Sequence, residues 1–258
     1  MYTMGLDIGS TASKGVIVED GKNIVAIAII PFGTGTTGPT RAVNELFNQL
    51  SIERRDIEKV IVTGYGRMKY TDADKQISEL SCHAKGVHFL IPTAKTIIDI
   101  GGQDAKALKL DKQGKLFNFV MNDKCAAGTG RFLDVMAKIL EVQVSDLGEL
   151  SAKSTQEIQI SSTCTVFAES EVISHLSNDI PVENIIAGIH DSVAKRVSSL
   201  AKRVGIEDDV VMVGGVARNS GVVRAMEKSI GKSIIVPELA QLTGALGAAL
   251  YAFEEGKK

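Results

Sequence analysis

The sequence has no tryptophan, only five prolines and only three cysteines among its 258 residues. Three cysteines are too few for a disulfide-stapled scaffold, and their number is odd. No charge of one sign dominates, since 29 basic and 31 acidic residues leave a net charge of −2, which excludes an electrostatic attraction to nucleic acid or an anionic membrane. No apolar run approaches the ~18 residues of a spanning helix, and no secretory signal precedes the first strand-like stretch. We therefore expect a cytoplasmic protein that binds neither nucleic acid nor membrane.

A weak internal repeat organises the chain. Segments 6–18 and 98–110 lie ninety-two positions apart and share Asp, Ile, Gly and Lys in register. Each has the pattern of an apolar strand, a tight turn with glycine, and a second strand. Segments 60–66 and 210–215 form a fainter pair, in which a strand of buried type follows a helical pattern and ends at glycines. The sequence thus predicts an α/β lobe that occurs twice.

Both tight turns have the composition of a phosphate-binding site. Glycine lets backbone N–H groups approach phosphate oxygens, while hydroxyl and ammonium groups add donors. Asp7 and Asp99, which precede the turns, require Mg²⁺ between themselves and a phosphate. The candidate phosphate-binding residues are Ser10, Thr11, Ala12, Ser13, Lys14, Gly102 and Gln103. Neither a Walker loop nor a dinucleotide fingerprint occurs, and a plain hairpin is the alternative for each turn.

The two turns, together with the strand and turn at 211–215, resemble the actin, sugar-kinase and heat-shock-chaperone ATPase superfamily. The resemblance implies an α/β, two-lobed, duplicated actin-like (ribonuclease-H-like) fold with ATP and Mg²⁺ in the interlobe cleft. The expected lobes are 1–95 and 96–239, with a C-terminal helix at about 240–258 packing back on the first lobe.

The same resemblance assigns roles within the nucleotide site. Gly214, Gly215 and Gln241 are expected to flank the adenosine. Gln103 and Asp104 are the candidates for orienting the water that attacks ATP. No carboxylate stands out as a general base, which suits a slow ATPase that works mainly by positioning.

Two of the three cysteines stand just before helical patterns, among small and hydroxyl residues. These are Cys125 and Cys164, and a thiolate at a helix start is stabilised by the free N–H groups there. Two ligands cannot complete a [4Fe–4S] cluster, but a two-fold homodimer supplies four. A Cys₄ zinc site meets the same count, and three inert buried thiols are the plainer alternative. Cys82 differs from both, because it lies within a predicted helix and has no neighbouring glycines.

The cysteine segments 122–134 and 161–170, with 99–104 and 214–219, resemble the activators of (R)-2-hydroxyacyl-CoA dehydratases, also called archerases. The resemblance runs from residue 2 to about residue 253. It implies one [4Fe–4S] cluster per homodimer, held by Cys125 and Cys164 of each subunit. It also implies an ATPase that donates one electron to a partner dehydratase in a transient complex. A reduced ferredoxin or flavodoxin would recharge the cluster.

Three alternatives remain open from the sequence. The first is an ATPase subunit of a benzoyl-CoA-reductase-type complex, which uses the same design in a permanent assembly. The second is a small-molecule (sugar) kinase without a cluster, and the third is an actin-like or chaperone-like nucleotide switch. The four histidines, among them His83, show no zinc-site spacing and are expected to be core or surface residues.

Overall fold

The computed structural model describes residues 1–161 and 164–257. This part of the chain forms two compact units. Unit 1 comprises Met1–Ala94, Leu110–Leu116 and the segment from Gln241 onward, and unit 2 comprises Lys95–Lys109 and Phe117–Ala240. Among the helices in the described ranges, none is long and apolar enough to cross a lipid bilayer.

The described residues form ten β-strands and eight α-helices. The strands are β1 Tyr2–Ile8, β2 Ser13–Glu19, β3 Asn23–Ile30, β4 Ile57–Thr63, β5 Lys75–Gln76, β6 Thr96–Ile100, β7 Ala105–Leu110, β8 Leu116–Asn122, β9 Val210–Val213 and β10 Ile234–Ile235. The helices are α1 Gly38–Leu50, α2 Glu79–Leu90, α3 Gly130–Ile139, α4 Leu147–Ser151, α5 Thr165–Ser177, α6 Val182–Val204, α7 Ser220–Ile230 and α8 Thr243–Gly256.

Unit 1 is built on a five-stranded sheet with the order β3-β2-β1-β4-β5. β1 pairs antiparallel with β2 and parallel with β4, and helices α1 and α8 pack on the sheet. Six of the seven residues of β1 are buried, as expected for the central strand of a covered sheet. The register places Asp7 opposite Lys14 on β2 and Thr63 on β4.

Unit 2 repeats this arrangement with the sheet order β10-β9-β6-β7-β8. β6 pairs antiparallel with β7 and parallel with β9, as β1 does with β2 and β4. Asp99 therefore lies opposite Lys106 and Val213, the positions that Lys14 and Thr63 hold in unit 1. The predicted duplication of an α/β lobe is confirmed, down to the register of the residues that the repeat shares.

Helix α8 is buried on most of its surface because its small residues pack closely against the sheet and α2 of the same unit. A Cβ atom on Gly5 of β1 would lie within 3 Å of backbone atoms of Ala245 and Ala249. A Cβ on Gly86 of α2 would likewise collide with the backbone of Thr243. These two glycines thus allow α8 to approach the sheet and α2 at backbone distance. The hydroxyl of Thr3 reinforces the packing by donating to the carbonyl of Ala249 at 3.0 Å.

Candidate nucleotide turns and cysteine pair

The first turn, residues 9–12, joins β1 to β2 and presents its tip outward. It is closed by the amide of Gly9, which donates to the carbonyl of Ala12 at 3.0 Å. Ser10 is partly exposed and Thr11 is exposed, so their hydroxyl groups are accessible at the tip. Ser13 differs, because it is buried and its hydroxyl donates to a carbonyl of the fold, that of Phe32, at 2.8 Å. Of the predicted hydroxyl donors, Ser10 and Thr11 are therefore the ones presented by the turn.

Asp7 stands at the base of this turn with one carboxylate oxygen paired and the other unsatisfied. Its Oδ2 lies 3.2 Å from the ammonium of Lys14, and its side chain is only 4% exposed. Among the described residues no hydrogen-bond donor reaches Oδ1, although that atom is buried. A buried carboxylate oxygen without a donor is costly, and a hydrated cation would satisfy it. The geometry of Asp7 therefore fits the predicted magnesium role.

His83 lies beside Asp7, a placement that the sequence did not predict. The carboxylate of Asp7 and the Nε2 atom of His83 both lie 3.2 Å from the point where a Cβ on Gly244 would stand. The Nδ1 atom of His83 is 2.9 Å from the hydroxyl of Thr243, and Nε2 is 3.8 Å from a carboxylate oxygen of Glu79. The only sign of this arrangement in the sequence was the spacing of Glu79 and His83, which places them one helical turn apart on α2.

The second turn, residues 101–104, repeats the first in unit 2. The amide of Gly101 donates to the carbonyl of Asp104 at 2.9 Å. Lys106, whose side chain is 2% exposed, places its ammonium 3.2 Å from Asp99 and 2.8 Å from Asp104. Gln103, in contrast, is exposed at the tip, and Gly102 is partly exposed. Of the two candidates for orienting water, Asp104 is therefore held by an ion pair while Gln103 projects from the turn.

The third predicted element, the turn after β9, is held rigidly. Gly214 has φ +86° and ψ 177°, a conformation that is essentially restricted to glycine, and its amide donates to the carbonyl of Ala240 at 3.0 Å. Gly215 follows it and is exposed. Gln241, the third residue predicted to flank the adenosine, belongs to unit 1 and is partly exposed.

A buried histidine holds the end of the same turn. The side chain of Asn219 caps α7, accepting from the amides of Gly221 at 2.9 Å and Val222 at 3.2 Å. The amide group of Asn219 also lies 3.2 Å from Nε2 of His190. Burial, and secondarily the positive charge of Arg224, lowers the pKa of His190 to about 4. The imidazole is thus neutral at pH 7, so that Nε2 can accept a hydrogen bond from Asn219.

The three cysteines lie in different environments. Cys82 is fully buried in α2, and burial, only partly opposed by a hydrogen bond from Thr63, raises its pKa to about 12. Such a thiol is neither nucleophilic nor a ready metal ligand. Cys125 is partly exposed in the loop between β8 and α3, and Cys164 is exposed at the N-cap position of α5. Helices α3 and α5 pack against each other, so both cysteines precede helices of one layer of unit 2.

Exposed large apolar side chains occur on the strand that precedes Cys125 and on the helix that follows Cys164. On β8, Phe117 and Phe119 are 72% and 44% exposed, and on α5, Val166 and Phe167 are 65% and 66% exposed. Exposed apolar side chains of this size are typical of a protein–protein interface. Ser162 and Thr163, which belong to the second cysteine segment, lie outside the described residues.

The comparisons with known proteins agree with this geometry. The sequence profile of the BadF/BadG/BcrA/BcrD ATPase family matches residues 4–252. The chain is 70% identical to the 2-hydroxyisocaproyl-CoA dehydratase activator of Clostridioides difficile, covering 100% of this chain and 97% of that protein. It is 58% identical to the (R)-2-hydroxyglutaryl-CoA dehydratase activating ATPase of Acidaminococcus fermentans, over 100% of this chain and 99% of that one.

Solved structures show the same relationship. The activator of the 2-hydroxyisocaproyl-CoA dehydratase from Clostridium difficile, with bound ADPNP, superposes with a TM-score of 0.97 at 70% identity, over 100% of this chain and 96% of that one. A glucokinase of the ROK family from Streptomyces griseus, at 15% identity, has a TM-score of 0.61 over 98% of this chain and 100% of its own. The second likeness shows the fold alone. The family profile and the 70% identical activator structure, with which it agrees, confirm the predicted actin-like ATPase fold.

Proposed function

Because the chain belongs to the BadF/BadG/BcrA/BcrD ATPase family, we propose that it is the ATP-dependent activator of a (R)-2-hydroxyacyl-CoA dehydratase. In this function ATP hydrolysis drives a single electron from a [4Fe–4S] cluster to the partner enzyme. One observation carries the proposal: unit 2 combines a turn of phosphate-binding type with two accessible cysteines, one in the loop before α3 and one at the N-cap of α5. The relatives of 58% and 70% identity, named as dehydratase activators, support the same function for this chain.

In the proposed nucleotide site, each unit is one ATPase lobe and contributes one phosphate-binding turn. Ser10, Thr11 and Lys14 supply donors from unit 1, with the backbone of Ala12. The buried Ser13 keeps the turn in place through its bond to Phe32.

The second turn contributes through Gly102 and Gln103, the latter orienting the attacking water. Asp104 shares Lys106 with Asp99, and this ion pair fixes the shape of the turn. Asp7 and Asp99 hold the waters around Mg²⁺, and the unsatisfied oxygen of Asp7 supports this assignment. Gly214, Gly215 and Gln241 flank the adenosine.

In the proposed cluster site, Cys125 and Cys164 are the ligands from each protomer of a homodimer. A cluster bound there supplies one-electron transfer at a potential that its surroundings set. The exposed aromatic and aliphatic side chains of β8 and α5, the elements next to the two cysteines in the sequence, support an interface with a second copy of the chain. Cys164 precedes the free N–H groups of α5, which stabilise the charge of a thiolate ligand.

The proposed cycle involves two transient partners in the cytoplasm. A reduced ferredoxin or flavodoxin loads the cluster, and the dehydratase receives the electron. The chain itself binds ATP and holds the attacking water. It also transmits the conformational change that follows ATP hydrolysis to the cysteine loops.

Anaerobic purification tests the proposal. The expected product is a coloured homodimer with about four iron atoms per dimer. Cys125→Ser and Cys164→Ser should each remove the colour while the chain stays folded. Cys82→Ser is the matched control, because it alters a thiol away from the cluster loops and should leave the iron content unchanged. Colourless, iron-free wild-type protein would refute the cluster.

The ATPase and its target are tested separately. The purified dimer should restore activity to an inactive 2-hydroxyacyl-CoA dehydratase only in the presence of ATP and a low-potential reductant. A panel of acyl-CoA dehydratases identifies the partner. Stable copurification with reductase subunits would instead indicate a permanent complex of the benzoyl-CoA-reductase type.

A further inference from the structure

The second phosphate turn is joined directly to the start of helix α3. The carbonyl of Gly101 accepts a hydrogen bond from the amide of Gly130 at 2.9 Å, and the carbonyl of Gly102 accepts one from Arg131 at 2.8 Å. The first amides of a helix lack partners within the helix and are usually capped by a side chain. Thr129 provides no such side-chain cap. The backbone of the phosphate turn is therefore the cap of α3.

The same helix start is joined on its other side to the loop that carries Cys125. Thr129, which is fully buried, donates to the carbonyl of Ala126 through its amide at 3.1 Å and its hydroxyl at 2.6 Å. The side chain of Asn122 donates to the carbonyl of Cys125 at 2.9 Å and to that of Ala127 at 3.3 Å. A short series of hydrogen bonds thus runs from the turn at Gly101 to the backbone of Cys125.

Two glycines permit this close connection. A Cβ on Gly130 would stand 3.2 Å from the carbonyl oxygen of Gly101, tighter than ordinary contact. Gly128 has φ +85°, a conformation that side chains rarely adopt, and faces Arg196 of α6. The loop from Cys125 to Gly130 is therefore shaped to rest on the turn.

The first turn has a corresponding connection, but to a loop without a cysteine. The carbonyl of Gly9, which corresponds to Gly101, accepts from the amide of Thr34 at 2.9 Å. Thr34 lies in the segment between β3 and α1, the counterpart of the segment between β8 and α3, and it carries no cysteine. The hydrogen bond from the loop to the turn is thus common to both units, and the cysteine is particular to the loop of unit 2.

We propose that the amides of Gly130 and Arg131, with Asn122 as a positioning residue, transmit the phosphate state of the second turn to the loop of Cys125. The inference rests on the function proposed above and names the structural route of its coupling. A change of phosphate at Gly101 and Gly102 rotates peptide groups whose carbonyls cap α3. The helix start follows, and the carbonyls that Thr129 and Asn122 hold move with it. The surroundings and the reactivity of the Cys125 thiol change as a result, whereas Cys164 lies outside this series of bonds.

The test measures thiol reactivity in the full-length chain without an iron–sulfur cluster. Cys125 and Cys164 are alkylated with iodoacetamide in the presence of Mg²⁺ with ADP or with ADPNP, and each peptide is quantified by mass spectrometry. In the wild type the rate at Cys125 should differ at least about threefold between the two nucleotides, while Cys164 serves as the internal reference. Cys82, with its pKa of about 12, should stay unmodified and reports that the chain is folded.

Gly130→Pro removes the amide that donates to Gly101. Proline is favourable at the first position of a helix, and the preceding residue, Thr129, already has the extended conformation that proline requires, with φ −125° and ψ 172°. Gly130→Ala is the matched control because it adds the same Cβ atom as proline, which the carbonyl of Gly101 accommodates by a shift of a few tenths of an ångström, but keeps the amide. The nucleotide effect at Cys125 should disappear in Gly130→Pro, remain in Gly130→Ala, and fall in Asn122→Ala.

Hydrogen exchange in the wild type provides a second measurement that needs no variant. Peptides spanning 122–133 should exchange at different rates with ADP and with ADPNP. An undiminished nucleotide effect in Gly130→Pro, or a wild type that binds both nucleotides with no change at Cys125 and in this peptide, would overturn the proposed route. Failure to bind nucleotide at all would instead refute the proposed function itself.

Discussion

Asp7 and Asp99 hold the same position in two separately folded units. Each carboxylate lies 3.2 Å from the ammonium of a lysine seven residues later, across an antiparallel strand pair. The surroundings have diverged, since Lys106 is 2% exposed and shared with Asp104, whereas Lys14 is 18% exposed. Lys106 therefore holds the turn of unit 2 through two carboxylates, while Lys14 is the more exposed of the two lysines.

The glycine after β9 should be sensitive to substitution for two reasons. Gly214→Ala places a Cβ within 3 Å of the carbonyl of Ile100 and of Asp99, in a conformation that side chains avoid. Gly231→Ala, the control at the end of α7, has φ +68° but no neighbour within 4 Å. We expect a loss of about 1 kcal/mol in unfolding free energy for Gly231→Ala and about 3 kcal/mol for Gly214→Ala. Urea unfolding measures both, and equal losses would contradict the crowding around Asp99.

Substitutions of Gln103 and Asp104 should cause different defects, the first in catalysis and the second in stability. Gln103→Ala should reduce kcat for ATP hydrolysis about tenfold or more, with a change in unfolding free energy below about 0.5 kcal/mol, because the side chain is exposed. Asp104→Asn should lower stability by about 2 kcal/mol, since it removes a charged partner of buried Lys106. Gln113→Ala, at another exposed turn, is the control for both. If Asp104→Asn reduces kcat without a loss of stability, and Gln103→Ala leaves kcat unchanged, the water-orienting role belongs to Asp104.

Asp7 should determine the magnesium requirement. Asp7→Asn keeps the shape of the side chain but removes the charge that its unsatisfied oxygen offers to a hydrated cation. The Mg²⁺ concentration for half-maximal ATP hydrolysis should rise about tenfold or more. Asp20→Asn, which alters an exposed pair with the N-terminus, should leave it unchanged. An unaltered Mg²⁺ requirement in Asp7→Asn would show that Asp7 does not contribute to magnesium binding.

His190 should make unit 2 less stable in mild acid. Its pKa is about 4 in the folded chain and about 6.5 when unfolded, so the unfolded chain binds more protons between these values. The stabilising effect of the neutral ring is complete above pH 6.5 and is lost as the pH falls toward 4. Between pH 7 and pH 5 the wild type should lose roughly 2 kcal/mol more unfolding free energy than His190→Gln. Parallel losses in the two proteins would show that the imidazole titrates normally.

Local sequence determined the chemistry that this chain presents. The repeated Asp-x-Gly turns, their lysines and the two cysteines before helices were recognisable because strand alternation and turn composition are properties of neighbouring residues. The duplicated lobe that these patterns predicted is observed, and the two strand pairs have matching register. Helix α7 was not predicted, although Asn219 is a standard capping residue, because its amphipathic pattern is short and its first turn contains a glycine, Gly221.

Only the tertiary structure decided which of these groups are used within the fold and which remain accessible. Ser13 reads like Ser10 in the sequence, yet strand pairing turns its hydroxyl inward to Phe32. His83 is next to Asp7 because α2 and α8 pack together through glycine, a contact between segments about 160 residues apart. The capping of α3 by the turn at Gly101 likewise depends on backbone groups that carry no sequence signature. Which residues contact each other across long stretches of sequence depends on packing and strand register, and no local pattern encodes either.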